Sequence, residues 1–229
     1  MNNKFLEEAL AALLAPTRWN LEDKQVPGQY PRPWLTVLTS ALLGAVLWLA
    51  GLAVGHIVRR PALAPLLAAI AVCLLHGWLN NWRQAKITET LATLLTGGDN
   101  STSPTATYRS TLVILLQLIR PAIYFLLFRY GAAAWLLASF ALGEQFALEG
   151  IPNADRQSLV PARALAGILL FLAAAIAGSG FLASVLLLVF GWLLSYRLLQ
   201  WKSTASSPAL LRYCGEMLVL LTVVICFAL

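Results

Sequence analysis

Apolar residues run through this chain in long blocks rather than at every second or third position. Seven such blocks span Trp34 to Gly55, Pro61 to Trp82, Ser110 to Phe128, Gly131 to Leu148, Arg163 to Gly178, Gly180 to Leu199 and Pro208 to Leu229. A helix needs roughly 20 mainly apolar residues to cross ~30 Å of hydrocarbon, where its amides must bond within the helix itself. The pattern therefore predicts an all-α fold, a polytopic integral membrane helical bundle of about seven transmembrane helices. It reads as a single membrane domain over residues 1–229, with a cytoplasmic or interfacial segment at 1–33 and the bundle at 34–229. The fifth and sixth blocks, parted only by Gly178-Ser179-Gly180, form the tightest hairpin.

Ahead of the first block, Phe5 to Leu14 is short and carries Glu7 and Glu8, which argues against a cleavable signal peptide. It reads instead as an N-terminal interfacial amphipathic helix, with Trp19 and Pro27 to Pro33 leading into the first span. A frayed tail is the alternative. Composition agrees with membrane residence: 11% of residues are charged and 59% hydrophobic, and the mean hydropathy is +0.75, whereas a soluble domain carries about a quarter charged residues. Cys73, Cys214 and Cys226 lie inside predicted spans without CxxC spacing and read as small packing residues.

Basic residues are distributed unevenly between the connections, and this asymmetry orients membrane proteins. The N-terminal side carries Lys4, Arg18, Lys24, Arg32, Arg83, Lys86, Arg109, Arg156, Arg163, Arg197 and Lys202; the other side has Arg59, Arg60 and Arg129. The expectation is an N-terminus in the cytoplasm and a C-terminus across the cytoplasmic (inner) membrane. Cytoplasmic arginines and lysines beside anionic lipid headgroups account for the formal charge of +6, so no nucleic-acid partner is implied. The connections after spans two, four and six are the longest and most polar, and a ligand site is expected there. The first, Arg83 to Arg109, reads as a polar cytoplasmic loop ending in a flexible run, Gly97 to Pro104.

Ionisable groups inside spans usually face a partner or a wet cavity. His76, Asn80 and Arg83 recur at helical spacing near the cytoplasmic end of span two, a face suited either to an anionic headgroup or phosphate or to simple solvation of a helix end. Gln117, Arg120 and Tyr124 share a face of span three, Arg120 near the midplane and followed by Pro121. Glu144, beside Gln145, is the nearest counter-charge by topology. Arg212 and Glu216, one turn apart, can pair within span seven. All four charges are expected to be structural. Gly51 and Gly55 form a GxxxG spacing, with Gly44 further back, implying close helix approach. Trp34, Trp78, Trp82, Trp192 and Trp201 fall near span ends as anchors.

Taken in order, these features resemble the cobalamin synthase family, the adenosylcobinamide-GDP ribazoletransferases. Phe5-Leu6-Glu7-Glu8-Ala9-Leu10 followed by Ala15-Pro16-Thr17-Arg18-Trp19 is similar to the family's opening helix and Thr-Arg-Ile-Pro-type motif. Pro33-Trp34 to Gly55 resembles its glycine-spaced first helix. His76 falls near its His-Leu-Asp-Gly, Asp99-Asn100-Ser101 near an Arg-Asp-Ser motif, Arg156 near its Ala-Arg, and Gly215-Glu216-Met217-Leu218 near its C-terminal Gly-Glu.

The resemblance implies a magnesium-dependent membrane transferase that joins α-ribazole or its phosphate to adenosylcobinamide-GDP with loss of GMP. Family chemistry depends on aspartates at the cytoplasmic end of span two, because hard Mg²⁺ is held by carboxylates. Here that stretch reads Gly77-Trp78-Leu79-Asn80-Asn81-Trp82-Arg83, with no carboxylate until Glu89. Asn80 and Asn81 offer only neutral oxygens, which leaves Asp99 as a metal ligand. The expectation is a divergent, catalytically impaired or altered member that binds a phosphate-bearing or corrinoid-like ligand through His76, Asn80, Arg83, Asp99 and Arg156. An active transferase with a rearranged Mg²⁺ site at Asp99 is the first alternative. The second is a non-enzymatic membrane subunit or small transporter. Expected partners are membrane lipids and other membrane or corrinoid-assembly proteins.

Overall fold

A computed structural model describes residues 7–8, 32–80, 83–95, 103–149, 157–178 and 208–228 of the chain. Among these residues there are seven helices and no strand: α1 (Pro33–Ile57), α2 (Ala64–Leu79), α3 (Arg83–Leu95), α4 (Ser103–Arg129), α5 (Trp135–Glu149), α6 (Val160–Ile176) and α7 (Pro208–Ala228). The all-helical expectation holds. Among the described residues two helices, α1 and α4 over Tyr108–Arg129, are long and apolar enough to cross a membrane; the seven spans that block length predicts are not supported. α2 and α6 are apolar but have only 16 and 17 residues, because proline-led turns start them late and glycine or asparagine ends them early. The sixth expected span, Gly180 to Leu199, lies outside the described residues, as do most of the N-terminal segment and the motifs at Thr17-Arg18 and Asp99. Of the N-terminal helix, Glu7 and Glu8 are described and helical, and Glu8 pairs with Arg32 at 3.3 Å beside the start of α1.

Local chemistry explains the boundaries. Proline occupies one of the first two positions of α1, α2 and α6, where its missing N–H is no loss and its φ is already helical. α4 closes at Gly131, whose φ of 72° suits a residue without Cβ. The Gly131 N–H donates to Phe128 O at 3.4 Å and the Ala132 N–H to Leu127 O at 2.8 Å, the paired bonds of a Schellman end. Inside α4, Pro121 deprives the Gln117 carbonyl of its usual amide partner, yet the helix continues to Arg129.

The Arg83 to Arg109 connection is not a loop throughout. It contains α3 and the first turns of α4, with only the intervening residues undescribed. Ile87, Thr88, Leu91 and Ala92 of α3 recur at helical spacing and turn inward, Thr88 and Ala92 fully buried, while Lys86, Glu89 and Thr90 face outward. Such a helix is amphipathic, and it packs across α4 and α7 at one end of the bundle. Glu89 reaches Arg109 of α4 at 3.8 Å.

The core is organised around α5. Nearly every residue from Trp135 to Ala147 is buried, enclosed by α7, α1 and α6. Small residues permit this closeness. A Cβ on Gly44 of α1 would lie 2.5 Å from the Leu136 carbonyl oxygen of α5, and one on Gly143 would lie 2.8 Å from the Arg212 carbonyl oxygen of α7. Gly51 is packed against the Phe128 ring, but Gly55 has nothing within 4 Å. The packing glycines of α1 are therefore Gly44 and Gly51, two turns apart on one face, and not the GxxxG pair.

Many large apolar side chains are exposed while a few charged ones are buried within an apolar core. Leu42, Val46 and Leu49 of α1, Leu66, Ile70 and Leu74 of α2, Ile114, Leu115 and Leu118 of α4, Ile168 and Leu172 of α6, and Leu221 and Ile225 of α7 all face outward, whereas His76, Arg120, Glu144 and Glu216 are buried. Soluble monomers rarely expose contiguous apolar patches beyond a few hundred Å².

Because the backbone atoms facing Gly44 cannot rotate away, Gly44→Ala is expected to lower stability by about 1–3 kcal/mol. A thermal unfolding midpoint in detergent reads this, and an unchanged midpoint would show that α1 and α5 are less tightly apposed than described.

Candidate functional site

The polar side chains inside the bundle converge from five helices. α1 supplies Ser40, α2 His76, α4 Arg120 and Tyr124, α5 Glu144, and α7 Arg212, Tyr213 and Glu216. α2 and α4 run side by side, and α7 contacts both α4 and α5, so the inward face of each meets the others at one level.

The charges pair across helices, and in the opposite sense to that expected from sequence. Arg120 does not meet Glu144; its Nη2 donates to Glu216 Oε2 of α7 at 2.5 Å. Arg212 does not use its own neighbour Glu216; its Nε lies 2.5 Å from Glu144 Oε2 of α5. Both corrections have one cause. Gly143 of α5 packs on the α7 backbone at Arg212 and on Glu216 Cγ, and Gly215 of α7 abuts Phe146, which brings the polar faces of α5 and α7 together. An Arg placed N-terminal to a Glu at i, i+4 is the poorer order for pairing within a helix. Interhelical partners win.

Further contacts fasten Glu144 and Arg120. Ser40 donates to Glu144 Oε2 at 3.2 Å. The Arg120 guanidinium carbon lies 5.0 Å from the Tyr213 ring centroid, within cation–π range. Tyr213 Oη donates to the Leu116 carbonyl at 3.4 Å, tying α7 to α4 one turn before Pro121. Arg120 Nη1 stands 3.3 Å from His76 Nδ1, and Tyr124 Oη 3.1 Å from the same nitrogen. Arginine has no acceptor, so His76 Nδ1 accepts, Tyr124 donates, and the ring proton resides on Nε2; this tautomer is assigned from the bonding pattern. The His76 ring leans on Phe140 with centroids 4.8 Å apart. Toward the α3 end, Glu149 accepts from Gln145 Nε2 at 3.0 Å and from Arg163 Nε at 2.8 Å, joining α5 to α6.

The sequence-predicted ligand set is not assembled by the described residues. His76 points into the bundle and is spent on Arg120 and Tyr124. It does not share a helix face with Asn80 and Arg83, because α2 ends at Leu79, Asn80 caps it and Arg83 opens α3. Asn80 Oδ1 is buried and has no hydrogen-bond partner among the described residues. Asp99 and Arg156 lie outside the described residues. Gln117, expected beside Arg120 and Tyr124, is exposed instead. Among the described residues no three His, Cys, Asp or Glu side chains gather as a metal-binding group. Ser40, Phe140 and Tyr213 belong to the cluster without having been singled out in sequence. A serine or aromatic in an apolar block carries no signal of its own; only the charges flag the level at which to look.

The chain matches no protein-family model, no curated protein and no solved structure.

Two arginines and two glutamates balance, so the cluster is neutral and each charge has a specific partner. Its chemistry is that of an interhelical clasp. Removing one member of a buried pair costs about 3–5 kcal/mol, chiefly because the other charge is stranded. Arg120→Leu is accordingly expected to destabilise the bundle by about that much, and Arg120→Leu with Glu216→Leu to recover most of the loss. Chemical denaturation in detergent micelles distinguishes the two variants, and equal losses would mean that the pair does not couple.

Proposed function

We propose that the chain is a polytopic inner-membrane protein on a cobalamin-synthase-like plan, with seven passes and a cytoplasmic N-terminus. On this view it binds a phosphate-bearing or corrinoid-like ligand at its cytoplasmic face rather than catalysing magnesium-dependent transfer. The observation that carries the membrane part is this distribution, with leucine and isoleucine outward on five helices and paired charge inside. In water that arrangement would be unfavourable on both counts; in lipid both are satisfied.

The short helices are compatible with this plan. α5, with 15 residues, is about 22 Å long against ~30 Å of hydrocarbon, but it is sheathed by α1, α6 and α7, so its ends meet protein rather than acyl chains. α2 and α6 are accommodated by local thinning, at fractions of a kcal/mol per Å of mismatch. What supports binding over transfer is the scarcity of carboxylate where the family concentrates it. The end of α2 offers Asn80, a neutral amide that can hydrogen-bond a phosphate but brings no negative charge to Mg²⁺.

Two measurements test this. The chain is expected to remain in membranes through alkaline carbonate washing and to require detergent for release; recovery in the wash would remove the membrane assignment. Purified protein supplied with Mg²⁺, α-ribazole phosphate and adenosylcobinamide-GDP is expected to bind the corrinoid nucleotide saturably without releasing GMP. Sustained GMP release, abolished by Asp99→Ala, would establish the transferase instead.

A further inference from the structure

The end of the bundle opposite α3 has a charge pattern that the central cluster does not explain. α1 finishes there with His56, and the tight connection to α2 presents Arg59 and Arg60; α4 finishes there with Arg129. All four side chains are exposed. Gly51 of α1 packs on Phe128 of α4, so Arg129 is level with the last turns of α1, and His56 lies about 7.5 Å further along the axis. Among the described residues no acidic side chain neutralises them. The sequence has no Asp or Glu between Asp23 and Glu89, between Asp99 and Glu144, or after Glu216. Among the described residues none of the four takes part in an ion pair.

The two neighbouring arginines are held rather than free to drift. The Val58 N–H donates to Val54 O at 3.1 Å, and the Arg60 carbonyl accepts from the Leu63 and Ala64 amides at 3.0 and 3.1 Å, with Pro61 inside the turn. Apolar side chains flank them: Ile57 is 79% exposed and Leu63 42%, and Tyr130 beside Arg129 is 45% exposed. An arginine between outward isoleucine and leucine belongs where hydrocarbon gives way to headgroups, since its stem can lie along acyl chains while the guanidinium reaches phosphate. Tyrosine favours the same depth. In the orientation proposed above, this end faces away from the cytoplasm, where basic residues are normally sparse.

We propose that this acid-free end is a phospholipid site, with Arg59, Arg60 and Arg129 binding the phosphates of anionic lipid and Ile57, Leu63 and Tyr130 seated at the acyl boundary. The site rests on the membrane reading of the chain and extends it to one lipid class in one leaflet. Guanidinium groups bind phosphate oxygens in a bidentate fork, and with no described acidic side chain competing, lipid phosphate is the complementary partner at that depth.

The full-length protein in detergent, titrated with phosphatidylglycerol or phosphatidylcholine and read by native mass spectrometry, tests the site. The anionic lipid is expected to be retained about tenfold more than the zwitterionic one. R59Q/R60Q/R129Q should bring the two to parity, R59K/R60K/R129K should keep part of the preference, and K86Q, at the opposite end, should leave it intact. A preference unchanged in the glutamine variant overturns the site, as does equal retention of the two lipids by the wild type. Complete displacement of lipid by excess inorganic phosphate would reveal a plain anion site and overturn the lipid assignment. If the glutamine variant does not fold, the salt dependence of wild-type retention decides, and a preference insensitive to ionic strength counts against the arginines. Carbonate extraction separates the two levels: a chain that stays in the membrane but shows no lipid preference refutes this site alone, while a chain released by carbonate refutes the membrane reading and the site with it.

Discussion

Four charged side chains lie inside the bundle, and their pairing across helices is the constraint on which the rest of the arrangement depends. Arg120 of α4 holds Glu216 of α7, and Arg212 of α7 holds Glu144 of α5. Taking an ion out of water costs several kcal/mol after relaxation, which the Coulombic attraction offsets only when geometry is good and spare hydrogen-bonding capacity is used. Much of that capacity is used here, although Arg120 Nε has no hydrogen-bond partner among the described residues. Ser40, His76, Tyr124 and Tyr213 engage the cluster from four helices, so α1, α2, α4, α5 and α7 share one polar level. A register shift of any of them would strand a charge, which is how a few polar residues specify a bundle whose apolar contacts are otherwise permissive.

Close approach makes the pairing possible. α5 is the central helix, and its alanine, serine and glycine positions let α1 and α7 come near enough for short side chains such as Ser40 to reach Glu144. Gly44, Gly143 and Gly215 stand where a Cβ would strike backbone or an aromatic ring. Packing and electrostatics are thus one problem in this molecule: the small residues set the distances and the charges set which distances are stable.

The two ends of the bundle differ in kind. One is capped by amphipathic α3, with Glu89 against Arg109 and Glu149 against Arg163, so acids and bases alternate there. The other carries arginines and a histidine, with no acidic side chain among the described residues there.

The order of apolar blocks by itself determined that the described residues are helical and where most helices lie, because a run of some twenty apolar residues in lipid leaves the backbone no other way to satisfy its amides. It also marked Arg120, Glu144, Arg212 and Glu216 as buried and in need of partners, since charge is so scarce in those blocks. Only the tertiary structure decided which charge takes which. Arg212 and Glu216 look paired along the chain because they are one turn apart, and Arg120 and Glu144 look paired because their helices are consecutive, but both choices rest on sequence distance. The contact of α7 with α5 depends on glycine packing between segments about 70 residues apart, which no local pattern encodes. The same holds for His76, which sequence spacing aligned with Asn80 and Arg83: α2 ends after Leu79, and tertiary packing turns the imidazole toward Arg120 instead.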